Sequence, residues 1–235
     1  MPDNESVPAA ISLRHTGRAV VVVVLIAAVL ATVLTVRARG SEAKVCERHA
    51  TDAAARSQVV TGTGPSIAVI GDSWSVGLGL DDLGRSWPSE LPGHVRVAGF
   101  SGSGFSRHAS HCGDRSFATR AASARGADLV VIAGGINDYD QPAADIRAGF
   151  RTLLTSLRGQ RVAVVGPVAA PSRAPFVGRV DVTLAGLCEE YGVAYIDASA
   201  WSLDYLPDRL HLTQAGHVAF GQRVAEELVA RGLLD

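Results

Sequence analysis

Lysine is almost missing from this chain: Lys44 is the only one among 235 residues, so nearly all positive charge is arginine. It lies ahead of the segment that reads as a folded domain, which excludes a Walker A lysine, a Schiff-base lysine and a Ser–Lys dyad there. Cysteine is scarce too, with Cys46, Cys112 and Cys188 and no Cys-x-x-Cys pair, which argues against a structural zinc site. In an oxidising compartment Cys112 and Cys188 can pair and leave Cys46 free, but three cysteines define no connectivity and unpaired thiols are the default. No G-x-G-x-x-G, H-E-x-x-H or G-x-S-x-G string occurs, which disfavours dinucleotide binding, a zincin and an ordinary α/β-hydrolase. A net charge of −1 carries no electrostatic footprint for nucleic acid.

What is present suits one domain with a sizeable core, since 47% of the residues are hydrophobic. Residues 19–36 form an uncharged apolar run, with Arg14 and Arg18 before it and Arg37 and Arg39 after it. At 1.5 Å rise per residue such a helix reaches about 27 Å, just enough for a hydrocarbon core. The favoured reading is an uncleaved transmembrane signal anchor, with the folded domain outside the cytoplasm. The rival is a secreted protein cleaved near Val36-Arg37-Ala38, but the run exceeds a usual signal-peptide core and Arg37 is awkward at a cleavage site. A buried soluble helix is disfavoured by the charges at both ends. Charge barely decides orientation, because Arg14 and Arg18 compete with Arg37, Arg39 and Lys44. Residues 1–18 read as a disordered cytoplasmic N-terminus, 19–36 as the anchor, 37–65 as a stalk and linker ending in Thr61-Gly62-Thr63-Gly64-Pro65, and 66–235 as the domain.

Within that domain, strand and helix signals alternate. Apolar runs at 67–70, 95–98, 129–133, 162–165 and 193–196 read as strands, and helical patterns fall at 116–125, 143–157, 177–191 and 213–231. Five short apolar strands separated by helices imply a five-stranded parallel sheet covered on both faces, a three-layer α/β/α sandwich. Ligands of such sheets sit beyond the carboxyl ends of the strands. The segments at those ends are Gly71-Asp72-Ser73, then Gly99-Phe100-Ser101-Gly102-Ser103-Gly104, then Gly134-Gly135-Ile136-Asn137-Asp138, with Asp208-Arg209-Leu210-His211 just before the last helix.

Their chemistry is mutually consistent. A serine hydroxyl needs a base within hydrogen-bond reach, and His211 is the candidate for Ser73. Asp208, three residues earlier, can hold the other imidazole nitrogen and fix its tautomer. An acyl tetrahedral intermediate needs donors, and the backbone N–H groups of Ser73 and Gly102 with the Asn137 amide supply three. Each string alone is weak: Gly-Asp-Ser and Gly-x-Asn-Asp are ordinary turns, and Asp-x-x-His before a helix suits capping. Four in order, each at a strand end or helix start, agree across levels in a way coincidence does not.

On these residues the chain resembles the SGNH hydrolases, the GDSL-type esterase/lipase family. Gly-Asp-Ser-x-Ser at 71–75, the glycine block at 99–104, Gly-x-Asn-Asp at 135–138 and Asp-x-x-His at 208–211 occur in the family's order, over roughly residues 66–232. The resemblance implies a flavodoxin-like sandwich, Ser73 as nucleophile, His211 as base, Asp208 as its orienter, an oxyanion hole of Ser73, Gly102 and Asn137, and no metal or organic cofactor. The family's second block often has an asparagine five residues before its glycine, where this chain has Val97, so Gly99 and Gly104 stay open beside Gly102.

Other constellations are weaker. His108, His111 and Cys112 crowd one loop without a distant partner, a pattern more typical of surface polarity than of a metal site. His217 reads as a packing residue and Asp138 as a loop-orienting or turn carboxylate. Asp72 reads as a local acceptor for backbone N–H groups, and Trp74, Trp87, Phe100 and Phe105 as acyl-pocket or core residues. The expectation is therefore a membrane-anchored serine esterase working through an acyl-enzyme on a small-molecule, glycan or lipid ester. Short connections apart from 103–115 and 167–175 favour small acyl groups such as carbohydrate acetyl esters, while membrane anchoring favours a lysolipid. Acyl transfer to a sugar at the same residues and a non-catalytic glycan-binding or assembly protein of the envelope are the alternatives.

Overall fold

The computed structural model describes residues 13–235, with side chains from residue 23 onward except those of 33, 36 and 38. Two compact units divide between Lys44 and Val45. The first contains the start of helix α1 (Leu13–Ser57). Of the disordered N-terminus expected at 1–18, residues 1–12 lie outside the described residues, and α1 has begun by Leu13. The expected anchor at 19–36 falls within α1, with the side chains of 19–22, 33 and 36 outside those described; among the described residues no helix is long and apolar enough to cross a membrane.

The second unit, from Val45, holds a five-stranded sheet. Its strands are β1 (Ser66–Gly71), β2 (His94–Gly99), β3 (Leu129–Ala133), β4 (Val162–Val165) and β5 (Ala194–Ile196), and all four neighbouring pairs are parallel, in the order β2-β1-β3-β4-β5. This is the doubly wound arrangement expected from the alternating pattern, and its topological switch point lies between β1 and β3. Because side chains alternate along a strand, each strand supplies two cores. Ile67, Val69, Val95, Val131 and Val165 pack on one face beneath Trp87 and helix α5 (Gln214–Ala230) through Phe220, Val224 and Leu228. Ala68, Ile70, Val130, Ile132 and Val164 face the other way, against α3 (Ala143–Ser156) through Ile146, Phe150 and Leu153, and α4 (Ala174–Tyr191) through Val180, Leu184 and Leu187.

Two expectations change. The helix expected at 116–125 is a 3-10 segment, Phe117–Ala124. The Ser116 carbonyl, which an α-helix would give to residue 120, is occupied by Thr119 N at 3.1 Å, Thr119 Oγ1 at 2.7 Å and the Arg120 guanidinium at 3.4 Å. The disulfide joins Cys46 to Cys112 and leaves Cys188 as the buried free thiol, in place of the unpaired thiols expected by default and of the alternative Cys112–Cys188 pair. Cys188 belongs to the inward stripe of α4 with Leu184 and Leu187, whereas Cys112 sits in the loop that residues 45–57 of α1 reach.

The sheet register sets the site. Gly71 pairs level with Gly99 on one side and with Ala133 on the other. The segments after β1, β2 and β3 therefore leave the sheet at one height, and the loop before α5 comes to meet them.

Candidate active site

Past Gly71 the chain turns at once into a four-residue helix, α2 (Ser73–Val76). Asp72 caps it by accepting from Trp74 N at 3.0 Å. Ser73 thus stands at the first helical position, where backbone N–H groups have no intrahelical acceptor. Its side chain is nearly buried, at 5% exposure.

His211 arrives from a tight turn. Asp208 Oδ1 accepts from Leu210 N and from His211 N, each at 2.9 Å, and Arg209 between them has φ 60°, the sole non-glycine residue at positive φ among the described residues. Left-handed backbone at a side-chain-bearing residue costs roughly 1–2 kcal/mol, so the surroundings must hold it. They do so from several sides. Leu206 N donates to His211 O at 2.7 Å, Ser172 N to Arg209 O at 3.1 Å, and Trp74 Nε1 to Leu210 O at 3.2 Å. The last bond ties the histidine turn directly to the helix that carries Ser73.

The result is a continuous chain of polar contacts. His211 Nε2 lies 3.1 Å from Ser73 Oγ, and His211 Nδ1 lies 2.6 Å from Asp208 Oδ2. Partial burial raises the Asp208 carboxyl, but hydrogen bonds from the His211 ring and the two backbone N–H groups outweigh it and hold it below its usual value. It remains a carboxylate at neutral pH, able to accept from Nδ1–H and leave Nε2 as the acceptor toward the serine.

The glycine block folds over the end of β1. Phe100 N donates to Gly71 O at 3.1 Å and Ser103 Oγ to the same carbonyl at 3.2 Å. Gly102 takes φ +82°, a left-handed conformation that a side chain would strain. Asn137 joins this loop, its Nδ2 donating to Ser103 O at 2.9 Å, which leaves the second amide hydrogen for another acceptor. Asp138 is wholly buried beneath: Oδ2 accepts from Phe105 N at 2.9 Å and Oδ1 from Ser106 N at 2.8 Å. Gly104 makes that possible, because a Cβ there would lie 2.3 Å from Asp138 Oδ2. Burial pushes the Asp138 carboxyl up to about 7 despite those two bonds, and pushes Asp72 up to about 6. Asp138 thus orients the loop rather than decorating a turn.

Among the other residues singled out, His217 is buried and its Nδ1 accepts from Trp87 N at 3.3 Å; burial, with a smaller contribution from His211, holds it down to about 4. It packs and does not face Ser73 as a second base. The sulfur of Cys112 is committed to the disulfide, which removes it from any ligand set with His108 and His111. Phe105 is core, edge-on to Phe117. Trp74 and Trp87 help line a recess beside Asp72 and Ser75, together with Ile136, Pro167, Val168 and Phe220. The space in it open to atom centres is about 20 Å³, room for little more than one water-sized group.

One residue that composition concealed is Arg120. Its Nε donates to Ala98 O at 2.9 Å, Nη2 to Ser103 Oγ at 2.8 Å and to Gly71 O at 3.3 Å, and Nη1 to Arg115 O at 2.8 Å. A single guanidinium fork therefore binds the ends of β1 and β2 to the glycine loop. Burial draws its pKa down to about 10, against the opposing pull of Asp72. No spacing rule marks such a residue, because its partners are backbone carbonyls and the Ser103 hydroxyl.

Comparison with known proteins agrees with this arrangement. The GDSL-like Lipase/Acylhydrolase family model matches residues 69–219, and the chain belongs to that family. It is thereby a carboxylic ester hydrolase of the SGNH type. A search of curated proteins gives no match. Among solved structures, Est24, a carbohydrate acetylesterase from Sinorhizobium meliloti, superposes with a TM-score of 0.56 at 18% identity, over 72% of this chain and 100% of that one. The native aryl esterase of M. smegmatis gives 0.54 at 21% identity, over 73% and 100%. At such identities these likenesses speak for the fold.

Proposed function

We propose that Ser73 is the nucleophile of an esterase that works through an acyl-enzyme, with His211 as general base and Asp208 as its orienter. The observation that carries the reading is the unbroken path Ser73 Oγ–His211 Nε2 at 3.1 Å and His211 Nδ1–Asp208 Oδ2 at 2.6 Å. His211 takes the proton of Ser73 as Oγ attacks the ester carbonyl, and the resulting imidazolium is stabilised by the Asp208 carboxylate. The carbonyl oxygen, now anionic, is received by the backbone N–H groups of Ser73 and Gly102 and by the free Asn137 amide hydrogen. His211 then returns the proton to the departing alcohol. A water deprotonated by the same histidine releases the acid and frees Ser73.

The small apolar recess favours short acyl groups, acetyl above all, over long lipid chains. The Cys46–Cys112 disulfide supports an oxidising, extracytoplasmic location, and the apolar run at 19–36 is proposed as the single-pass anchor that holds the domain there. The test is turnover of p-nitrophenyl acetate together with labelling by a fluorophosphonate probe. Wild type should do both and Ser73→Ala neither, at unchanged circular dichroism. Undiminished turnover by Ser73→Ala would overturn the assignment, and labelling without net hydrolysis until a sugar acceptor is added would make the protein an acyltransferase.

A further inference from the structure

Residues 45–57 of α1 belong to the same compact unit as the sheet, although the four motif blocks lie elsewhere. They are fastened at both ends. Cys46 is bonded to Cys112, and the fully buried Arg56 donates from Nε to Ser86 Oγ and from Nη1 to Val59 O, each at 2.9 Å. Between these anchors stands His49. Its ring meets that of Phe100 edge-on, with centroids 6.2 Å apart, and the Arg115 guanidinium lies 5.0 Å from the centre of the same phenyl ring. Phe100 is the first residue after β2 and opens the loop that carries Gly102. His49 Nδ1 is sealed from solvent with no hydrogen-bond partner, which leaves Nε2 as the nitrogen open to a ligand. Burial, opposed by Asp52 and reinforced by the nearby Arg48 and His211, holds the imidazole below its usual value, so it is neutral at pH 7 and can donate or accept.

The two flanks of Ser73 differ in character. With the order β2-β1-β3-β4-β5, β2 lies on one side of the nucleophile's strand and β3 and β4 on the other. The apolar recess is at the β3–β4 side, where Ile136 follows β3 and Pro167 and Val168 follow β4. Phe100, His49 and Arg115 stand at the end of β2. In the pose that this reading takes, the acyl group points toward the recess and the alcohol half toward the β2 flank, where His49 lies within electrostatic reach of His211.

We propose that His49 is a specificity residue of this site, hydrogen-bonding a hydroxyl of the ester's alcohol part through Nε2 and so selecting a sugar or similar polyol. The proposal rests on the esterase reading of Ser73. The Cys46–Cys112 bond has a function in this scheme: it holds the helix segment that presents His49 against the loop after β2.

The experiment compares kcat and KM of full-length wild type, His49→Ala and His49→Gln on two acetate esters. One is a mono-acetylated glucose, and the other is phenyl acetate, whose alcohol part has no further hydroxyl. The deciding quantity is the ratio of kcat/KM for the sugar ester to that for phenyl acetate. In His49→Ala this ratio should fall about five- to tenfold, the worth of one hydrogen bond, mainly through KM. His49→Gln, which can still donate and accept, should recover part of it. An unchanged ratio, or parallel losses on both esters, overturns the role of His49 while leaving the esterase reading intact. Wild type that neither turns over either ester nor reacts with a fluorophosphonate overturns both.

Discussion

Replacing Asp208 by asparagine tests the proposed mechanism most sharply, because the surrounding bonds dictate how the new amide must sit. In the native turn Oδ1 accepts from two backbone N–H groups at 2.9 Å each, while Oδ2 faces His211 Nδ1 at 2.6 Å. An amide has a single oxygen, and its NH2 cannot accept, so the oxygen stays with the two N–H groups and the NH2 faces Nδ1. Nδ1 must then be the acceptor, which moves the ring proton to Nε2 and points it at Ser73 Oγ. Restoring the useful tautomer means breaking the amide's bond to Nδ1 or flipping the amide off both backbone donors, at roughly 2–4 kcal/mol. Loss of the carboxylate charge opposite the imidazolium adds about 1–2 kcal/mol, a discounted figure because the Asp208 side chain is 48% exposed to water. At about 1.4 kcal/mol per decade, kcat on p-nitrophenyl acetate should drop about 10²- to 10⁴-fold. KM and the melting temperature should change little, since the backbone bonds of the turn survive. A loss below about tenfold would refute the argument, because it would mean that His211 does not depend on Asp208 for its tautomer.

Three further outcomes are expected. Asn137→Ala, which removes a donor from the oxyanion site, should lower kcat by about 10²–10³ with KM nearly constant; a loss confined to KM would show that the amide binds ground state and transition state alike. Asp138 has a folded pKa raised to about 7, above its unfolded value near 4, so the folded state holds more protons in between and its stabilising share is lost as pH rises through 7. The melting-temperature difference between wild type and Asp138→Asn should therefore shrink from pH 5 to pH 8, slopes from Asp72 and His217 being common to both; a difference that widens with pH contradicts the buried protonated carboxyl. Thiol titration with a disulfide reagent should find no reactive cysteine in native protein and one, Cys188, after unfolding without reductant, since burial pushes that thiol up to about 12 and the other two are bonded. Three thiols would remove the disulfide, and none would make Cys188 part of one.

Much of the sheet is legible locally, and the reason is burial. A parallel strand covered on both faces reads as an apolar run, and 67–70, 129–133 and 162–165 lie inside β1, β3 and β4 or coincide with them. Helix limits follow from caps: Thr213 accepts from Gly216 N at the start of α5, and Gly192 at φ 66° stops α4. The 3-10 segment at Phe117–Ala124 escapes because its Ala-rich composition favours a helix, and what tightens it is where Thr119 and Arg120 place their side chains. The disulfide escapes for a related reason. Cys188 shows the spacing of an inward helix stripe with Leu184 and Leu187, but which thiol Cys112 meets depends on where residues 45–57 dock.

Local order along the chain determines the chemical kit: a strand ending in Gly71-Asp72-Ser73, a glycine loop, Asn137 after the third strand, and Asp208 three residues before His211. Each depends on neighbours within a few residues, on which side-chain spacing and backbone preference act directly. Tertiary structure alone decides how the kit is assembled. The level register of Gly71, Gly99 and Ala133 brings the loops to one height, the Trp74 bond to Leu210 O sets the histidine turn over Ser73, and Arg120 clamps carbonyls from separate strands. The Cys46–Cys112 bond fastens the stretch of α1 whose His49 meets the Phe100 ring. Those contacts join residues tens to more than a hundred positions apart, and partners at that distance meet only when the packed sheet fixes where each loop ends.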